Sequence, residues 1–344
     1  MQASHRNNFD FLRFAAAVMV WYSHCYGLTR FPDPLSRYVP FESFGSLGVT
    51  IFFVISGYFV TASYENNGNF LIFIRNRALR IIPALWVVVL LSVFVLGPAV
   101  TTDSLHQYFA DSETWKYLRS MMIFPLQYNL PGVFHSNEAY EVNGSLWTLK
   151  QEVRLYGVIA ILGVLGILQP RLMFVLLAGL CSLRIYGIIK VPLSTDRIFT
   201  QPWADLELAV RLATQFAVGA CLYLGRETVP LKISYFFISI VIIVASIYMP
   251  YSPKIGNLLF DLAFGYALVC IGFLRIPLLH AFNRWGDFSY GFYLYAFPMQ
   301  QLFLQILGGN ANFTAFLLAS FCATFLCSVL SWHAVEKPAL SLKG

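Results

Sequence analysis

Arg13 and His24 stand eleven residues apart inside an apolar run, LRFAAAVMVWYSH, residues 12–24. A guanidinium binds phosphate and carboxylate through paired donors. An imidazole titrates near neutrality, which suits a general base. Eleven residues of α-helix make about three turns with a residual of about 20°, so the two side chains share one face, roughly 16 Å apart along the axis. Asp10 precedes Arg13 by three residues and lies within side-chain reach on that face. Arg13 and His24 are too far apart for direct contact, but they suit the two ends of one long ligand. The structural alternative is an interfacial Asp10–Arg13 anchor with His24 as a hydrogen bonder between helices. His24 is the only histidine within the apolar part of the first nine hydrophobic segments. His5, His106, His135 and His280 fall in terminal or connecting stretches, and His333 lies near the end of the last segment.

The elements that must position these residues follow from composition. The 344 residues are 58% hydrophobic, 17% aromatic and only 12% charged, with a mean hydropathy of +0.65. Soluble proteins carry roughly 25% charged residues. Apolar runs of about 20 residues, the length that crosses a bilayer as a helix, recur along the whole chain. This predicts an all-α, polytopic membrane bundle forming one domain over residues 1–344. Ten spans are expected near 9–28, 46–63, 81–99, 148–168, 172–189, 205–224, 233–249, 257–274, 287–307 and 313–333. The first carries Asp10 and Arg13 and lacks a small-residue cleavage site, so it reads as a retained helix and not a signal peptide. The long 100–145 connection contains YLRSMMIFPLQYNLPGVF, apolar enough to lie in the interface or dip into the membrane.

Orientation follows from lysine and arginine. With the N-terminus cytoplasmic, the inner segments carry Arg6, Arg75, Arg77, Arg80, Arg171, Arg226, Lys232, Arg275, Arg284, Lys337 and Lys343. The longer outer segments carry Arg30, Arg37, Lys116, Arg119, Lys190, Arg197 and Lys254, with most of the loop acids, among them Glu42 and Asp196. This asymmetry predicts N-in and C-in. The net charge of +6 is spread over short loops, unlike the clustered basic face of a nucleic-acid binder. The six cysteines lie in or beside apolar runs without a CxxC pair and read as packing residues; no metal site is expected.

Charges also fall inside the spans. Lys150, Arg154, Arg184 and Arg211, with the acids Glu152, Glu207, Asp261 and Asp287, lie in spans or at their ends. At a helix centre each costs at least about 2.5–3.5 kcal/mol unless paired or in a wet cavity. Arg184 and Arg211 read as structural.

Several motifs, in order, resemble those of the membrane acyltransferases called acyltransferase type 3. Arg13 and His24 resemble the family's first-helix signature, and FFVISGY (52–58) its second-helix motif. RNRALRIIPALW (75–86) resembles an Arg-x-x-Arg-x-x-Pro segment through Arg77, Arg80 and Pro83. GSLWTLKQEVRLY (144–156) resembles a later motif through Ser145, Leu146, Trp147, Glu152 and Tyr156. FSYGFYLYAFPMQQ (288–301) and VEKP (335–338) resemble its closing motifs. Two departures stand out. Only Glu152 remains where members often have two acids, and Tyr295 and Ala296 stand where many have a histidine.

The resemblance implies transfer of an acyl group, usually acetyl, from cytoplasmic acyl-CoA to a hydroxyl of a glycan or glycolipid, in a bacterial inner membrane. No tightly bound cofactor is expected, acetyl-CoA being a substrate. His24 is the candidate general base, and Arg13, Arg77 and Arg80 the donor-binding arginines. Glu152 could orient His24 or bind sugar hydroxyls. Asp10, Ser145, Tyr156, Tyr290 and Tyr293 are candidate acceptor-binding groups. Ser56, imaginable as a nucleophile, reads better with Gly57 as a close helix contact. A transporter or flippase of a lipid-linked sugar is the alternative, weakened by the lack of an internal repeat. Acceptor identity and oligomeric state are left open.

Overall fold

The computed structural model describes residues 7–187, 202–249, 253–282, 284–308 and 312–343, without the side chains of 202–205, 280 and 281. His5, Arg6, Lys190, Asp196 and Arg197, the His280 side chain and the last residues of the fifth predicted span lie outside this set. Among the described residues the fold is all-helical, with no strand. Ten helices of 15 residues or more carry it: α1 (Phe9–Leu28), α2 (Phe44–Asn67), α3 (Phe70–Leu91), α4 (Trp147–Val164), α5 (Pro170–Tyr186), α6 (Pro202–Leu224), α7 (Ile233–Ile247), α8 (Pro253–Phe273), α9 (Ser289–Leu307) and α10 (Phe313–Ser331). Each overlaps one predicted segment. Among the described residues, five helical stretches are long and apolar enough to cross a membrane: Phe44–Asn67, Phe70–Val100, Leu206–Leu224, Pro253–Phe273 and Phe313–Ser341. The chain is a multi-pass membrane protein.

α2 is the central strut, packed on both α1 and α6, while α9 packs on α1 and α10. Glycines set the closest of these approaches. A Cβ at Gly57 would lie 1.9 Å from the Phe216 carbonyl oxygen, and one at Gly219 would lie 2.0 Å from that of Val54. Two helices meet backbone to backbone there, as small residues permit in membrane bundles. The close-contact reading therefore holds for Gly57, whereas Ser56 faces a cavity.

α3 begins eleven residues before the predicted span. The Asn69 side chain accepts hydrogen bonds from the backbone N–H groups of Leu71 and Ile72, satisfying two of the orphan donors that a helix N-terminus leaves. Arg75, Arg77 and Arg80 therefore project from a helix and not from a loop. Arg77 and Arg80, three residues apart, share a face; Arg75 points elsewhere and is exposed.

The 101–143 connection contains short helices at Leu105–Ala110 and Ser112–Tyr117. Its apolar stretch packs into the main core through Ile123, Leu130, Val133 and Phe134. Arg184 and Arg211 are structural, as expected. Arg211 pairs with Glu42 and Asp261, and Arg184 lies 2.8 Å from Asp261. Gln215 donates to Asp261 at 3.1 Å. Glu42, read as a loop acid, is instead enclosed with 3% of its surface exposed, because Arg211 supplies the charge that permits its burial.

Candidate active site

A cavity of about 430 Å³ opens between α1, α2, α3, α4 and the start of α9. Seven of the ten predicted site residues line it: Arg13, Arg77, Arg80, Glu152, Tyr156, Tyr290 and Tyr293. Asp10, His24 and Ser145 are not on the lining. On α2 the lining runs from Val49 to Asn66, a length of about 25 Å at the rise of an α-helix. The chamber is therefore long and narrow, with cations toward one end.

Arg13 reaches the chamber from the first turns of α1. Its guanidinium lies 3.2 Å from Asp10 and 5.2 Å from the centre of the Phe59 ring. Arg80 forms an ion pair with Asp287, just before α9. Asp287 also accepts from the Ser289 hydroxyl at 2.5 Å. Arg77 sits over the Tyr156 ring, 5.9 Å from its centre, and approaches Ser63 at 3.4 Å. Its Nε is enclosed without a partner.

Glu152, on the second turn of α4, accepts hydrogen bonds on one oxygen from Ser56, at 2.7 Å, and from Tyr156. Of the two roles open to Glu152, orienting His24 or binding sugar hydroxyls, its hydrogen bonds here go to Ser56 and Tyr156 and not to His24. Glu152 lines the arginine-bearing chamber, because α4 packs on α2 and brings the carboxylate to Ser56. Tyr290 donates to the Ile81 carbonyl at 2.9 Å, and Tyr293 to the Ser145 carbonyl at 2.7 Å. Tyr293 also shares a 2.5 Å hydrogen bond with Thr148. These tyrosine hydroxyls are engaged with the protein itself, so they shape the chamber wall.

His24 lies beyond the chamber's far end. Its ring meets Phe297 edge-on at 5.3 Å. Its Nδ1 is enclosed with no hydrogen-bond partner, so the structural alternative of a satisfied interhelix bond does not describe that nitrogen. Phe297 is one helical turn past Tyr293, whose ring contacts Phe52 at 5.7 Å. Phe52 and Tyr293 both line the chamber, with Val49 one helical turn further along α2.

Residues that sequence reasoning did not place here are Ser56, Ser63, Thr148, Asp287, Ser289 and Lys343. Asp287 carried a signal, an acid at the head of an apolar span, but its partner lies 207 residues away. Lys343 carried only its topological charge.

The profile of the acyltransferase type 3 family, described as "Acyltransferase domain", matches residues 6–333. An O-acetyl transferase of Shigella phage Sf6 is 30% identical over 347 residues, covering 98% of this chain and 97% of the relative. Nodulation protein 10 of Rhizobium leguminosarum bv. viciae is 36% identical over 163 residues, 45% of this chain and 43% of that protein. A Bacillus subtilis protein provisionally named a peptidoglycan O-acetyltransferase is 26% identical over 329 residues, 86% of this chain and 50% of that protein. No solved structure matches. With a family match that covers nearly its whole length, the chain belongs to the acyltransferase type 3 family and is an acyltransferase.

Proposed function

We propose that the protein transfers an acetyl group from cytoplasmic acyl-CoA to a hydroxyl of an exported or cell-surface glycan or glycolipid, as a single ten-span domain of a bacterial inner membrane with both termini inside. The carrying observation is the chamber itself. It places Arg77 and Arg80 with Arg13 along one long slot, a shape suited to a donor with phosphates at one end and a thioester at the end of a thin arm. The acyltransferase names of two relatives support the same chemistry.

In this reading the arginines hold the donor's phosphates, since guanidinium forks match phosphate oxygens. The arm runs outward along α2, and the thioester reaches the end lined by Val49, Phe52 and Tyr293. His24, with an unpaired ring nitrogen just beyond, takes the proton of the acceptor hydroxyl. The hydroxyl oxygen attacks the thioester carbon, the C–S bond breaks, and coenzyme A leaves as the thiolate, which then takes up a proton. Glu152, held by Ser56 and Tyr156, places a carboxylate midway along the chamber.

The test is acetylation of an isolated surface glycan by purified protein supplied with acetyl-CoA, beside donor binding on the same preparation. His24→Ala is expected to lose about 10²–10⁴-fold in rate, the usual value of a general base, while still binding donor. Arg77→Ala is expected to lose donor binding. Wild-type turnover by folded His24→Ala would remove the base assignment. Absence of any acetyl-CoA dependence in the wild type would remove the donor.

A further inference from the structure

The segment that follows α10 brings a lysine into the chamber proposed for the donor. After α10 the helix continues through a wide turn, Trp332–Glu336, into Lys337–Ser341. This segment packs on α3 and delivers Lys343 to the lining beside Arg13, Arg77 and Arg80. Four cations therefore share a chamber that has two carboxylates on its wall, Glu152 and Asp287.

Those carboxylates are already engaged. Asp287 is held by Arg80 and Ser289, and Glu152 by Ser56 and Tyr156. Asp10 pairs with Arg13. Among the described residues, Arg77 and Lys343 have no carboxylate partner, and the Arg77 Nε is enclosed without any. The crowding registers on Lys343, which lies outside the membrane-spanning helices. Burial, then the positive charges of Arg77, Arg80 and Arg13, against the opposing pull of Asp287, bring its amine down to about 8. Cations gathered without counter-ions are costly unless an anion joins them. A phosphate ester has the charge and the acceptor oxygens to satisfy an ammonium and a guanidinium together.

We propose that Lys343 is a donor-binding residue that completes, with Arg77, the site for the phosphate groups at the nucleotide end of the donor, so that the C-terminal segment forms one wall of the donor site. This rests on acyl-CoA being the donor. Lys343 adds a further positive charge beside the arginine forks.

The experiment measures coenzyme A binding to full-length protein in nanodiscs, for wild type, Lys343→Gln and Lys343→Arg, with dephospho-coenzyme A as a second probe. Nanodiscs of phosphatidylcholine alone are compared with nanodiscs containing phosphatidylglycerol. Lys343→Gln is expected to weaken coenzyme A binding about tenfold, the scale of one charge-assisted hydrogen bond. Lys343→Arg should recover most of that loss, and the thermal midpoint should be unchanged. A smaller loss for dephospho-coenzyme A would place the lysine at the 3′-phosphate; an equal loss would place it at the pyrophosphate. Equal affinity in wild type and Lys343→Gln would overturn the proposal while leaving the donor reading intact. An effect confined to phosphatidylglycerol nanodiscs would overturn it in favour of a lipid headgroup. A wild type that binds no coenzyme A would instead sink the donor reading on which it rests.

Discussion

Arg80 and Asp287 join α3 to the head of α9 across 207 residues of sequence, and the consequence can be worked through. Their side chains are 21% and 12% exposed. Asp287→Asn keeps the size of the residue and its ability to accept from Ser289, but it strips Arg80 of its counter-ion beside Arg77, Arg13 and Lys343. Breaking a buried pair by removing one partner costs about 3–5 kcal/mol. The chamber admits some water to this guanidinium, so the lower end, about 3 kcal/mol, is expected. The assay is unfolding by sodium dodecyl sulfate titration in mixed micelles, carried through a cycle of Asp287→Asn, Arg80→Gln and the double variant. The double variant should fall short of the summed losses by about 1 kcal/mol or more, because neutralising both partners leaves no unpaired charge. Donor binding should separate the two singles: Arg80→Gln weakens it, whereas Asp287→Asn, which releases Arg80, preserves or strengthens it. Additivity within about 0.5 kcal/mol would refute the reasoning, because the two groups would then not share an interaction.

Further outcomes follow from the packing and the charges. Gly57→Ala should unseat α2 from α6, since its Cβ would sit 1.9 Å from the Phe216 carbonyl oxygen; little folded protein surviving size-exclusion in detergent is the expected result, and normal yield would mean the helices shift apart freely. Donor affinity should fall as pH rises through about 8, where Lys343 loses its proton; the charged form is the one that meets phosphate, so the decline should be blunted in Lys343→Gln. Phe52→Ala should raise turnover of longer acyl-CoA relative to acetyl-CoA by widening the part of the chamber that Phe52 and Tyr293 line, and an unchanged preference would place chain-length selection elsewhere. For topology, single cysteines replacing Asn67 and Ser341 should resist an impermeant thiol reagent on intact cells, while one replacing Ala110 should react; the reverse pattern would invert the proposed orientation.

Much of the fold was legible in the residues. In lipid, every backbone polar group must be satisfied within its own segment or by neighbouring protein, so a run of apolar residues becomes a helix whatever it packs against. That is why the first predicted segment, 9–28, coincides with α1, and why Arg13 and Asp10 pair as their spacing requires. Where a local signal overrode hydropathy, the boundary moved. Asn69 starts α3 early, and that shift separates Arg75, left exposed, from Arg77 and Arg80, which share the chamber. The type of chemistry was legible too, because each motif is a short stretch of adjacent residues. What only the tertiary structure decided were the partners. Glu152 meets Ser56 and not His24, Asp287 meets Arg80, Asp261 meets Arg184 and Arg211, and Lys343 arrives in the arginine-lined chamber from the segment after α10. A charge inside a membrane span announces that it needs a counter-ion. Which one it finds depends on which helices touch, at which turn and with which face, and those are properties of the packed bundle, set in part by approaches as close as that of Gly57 to Phe216.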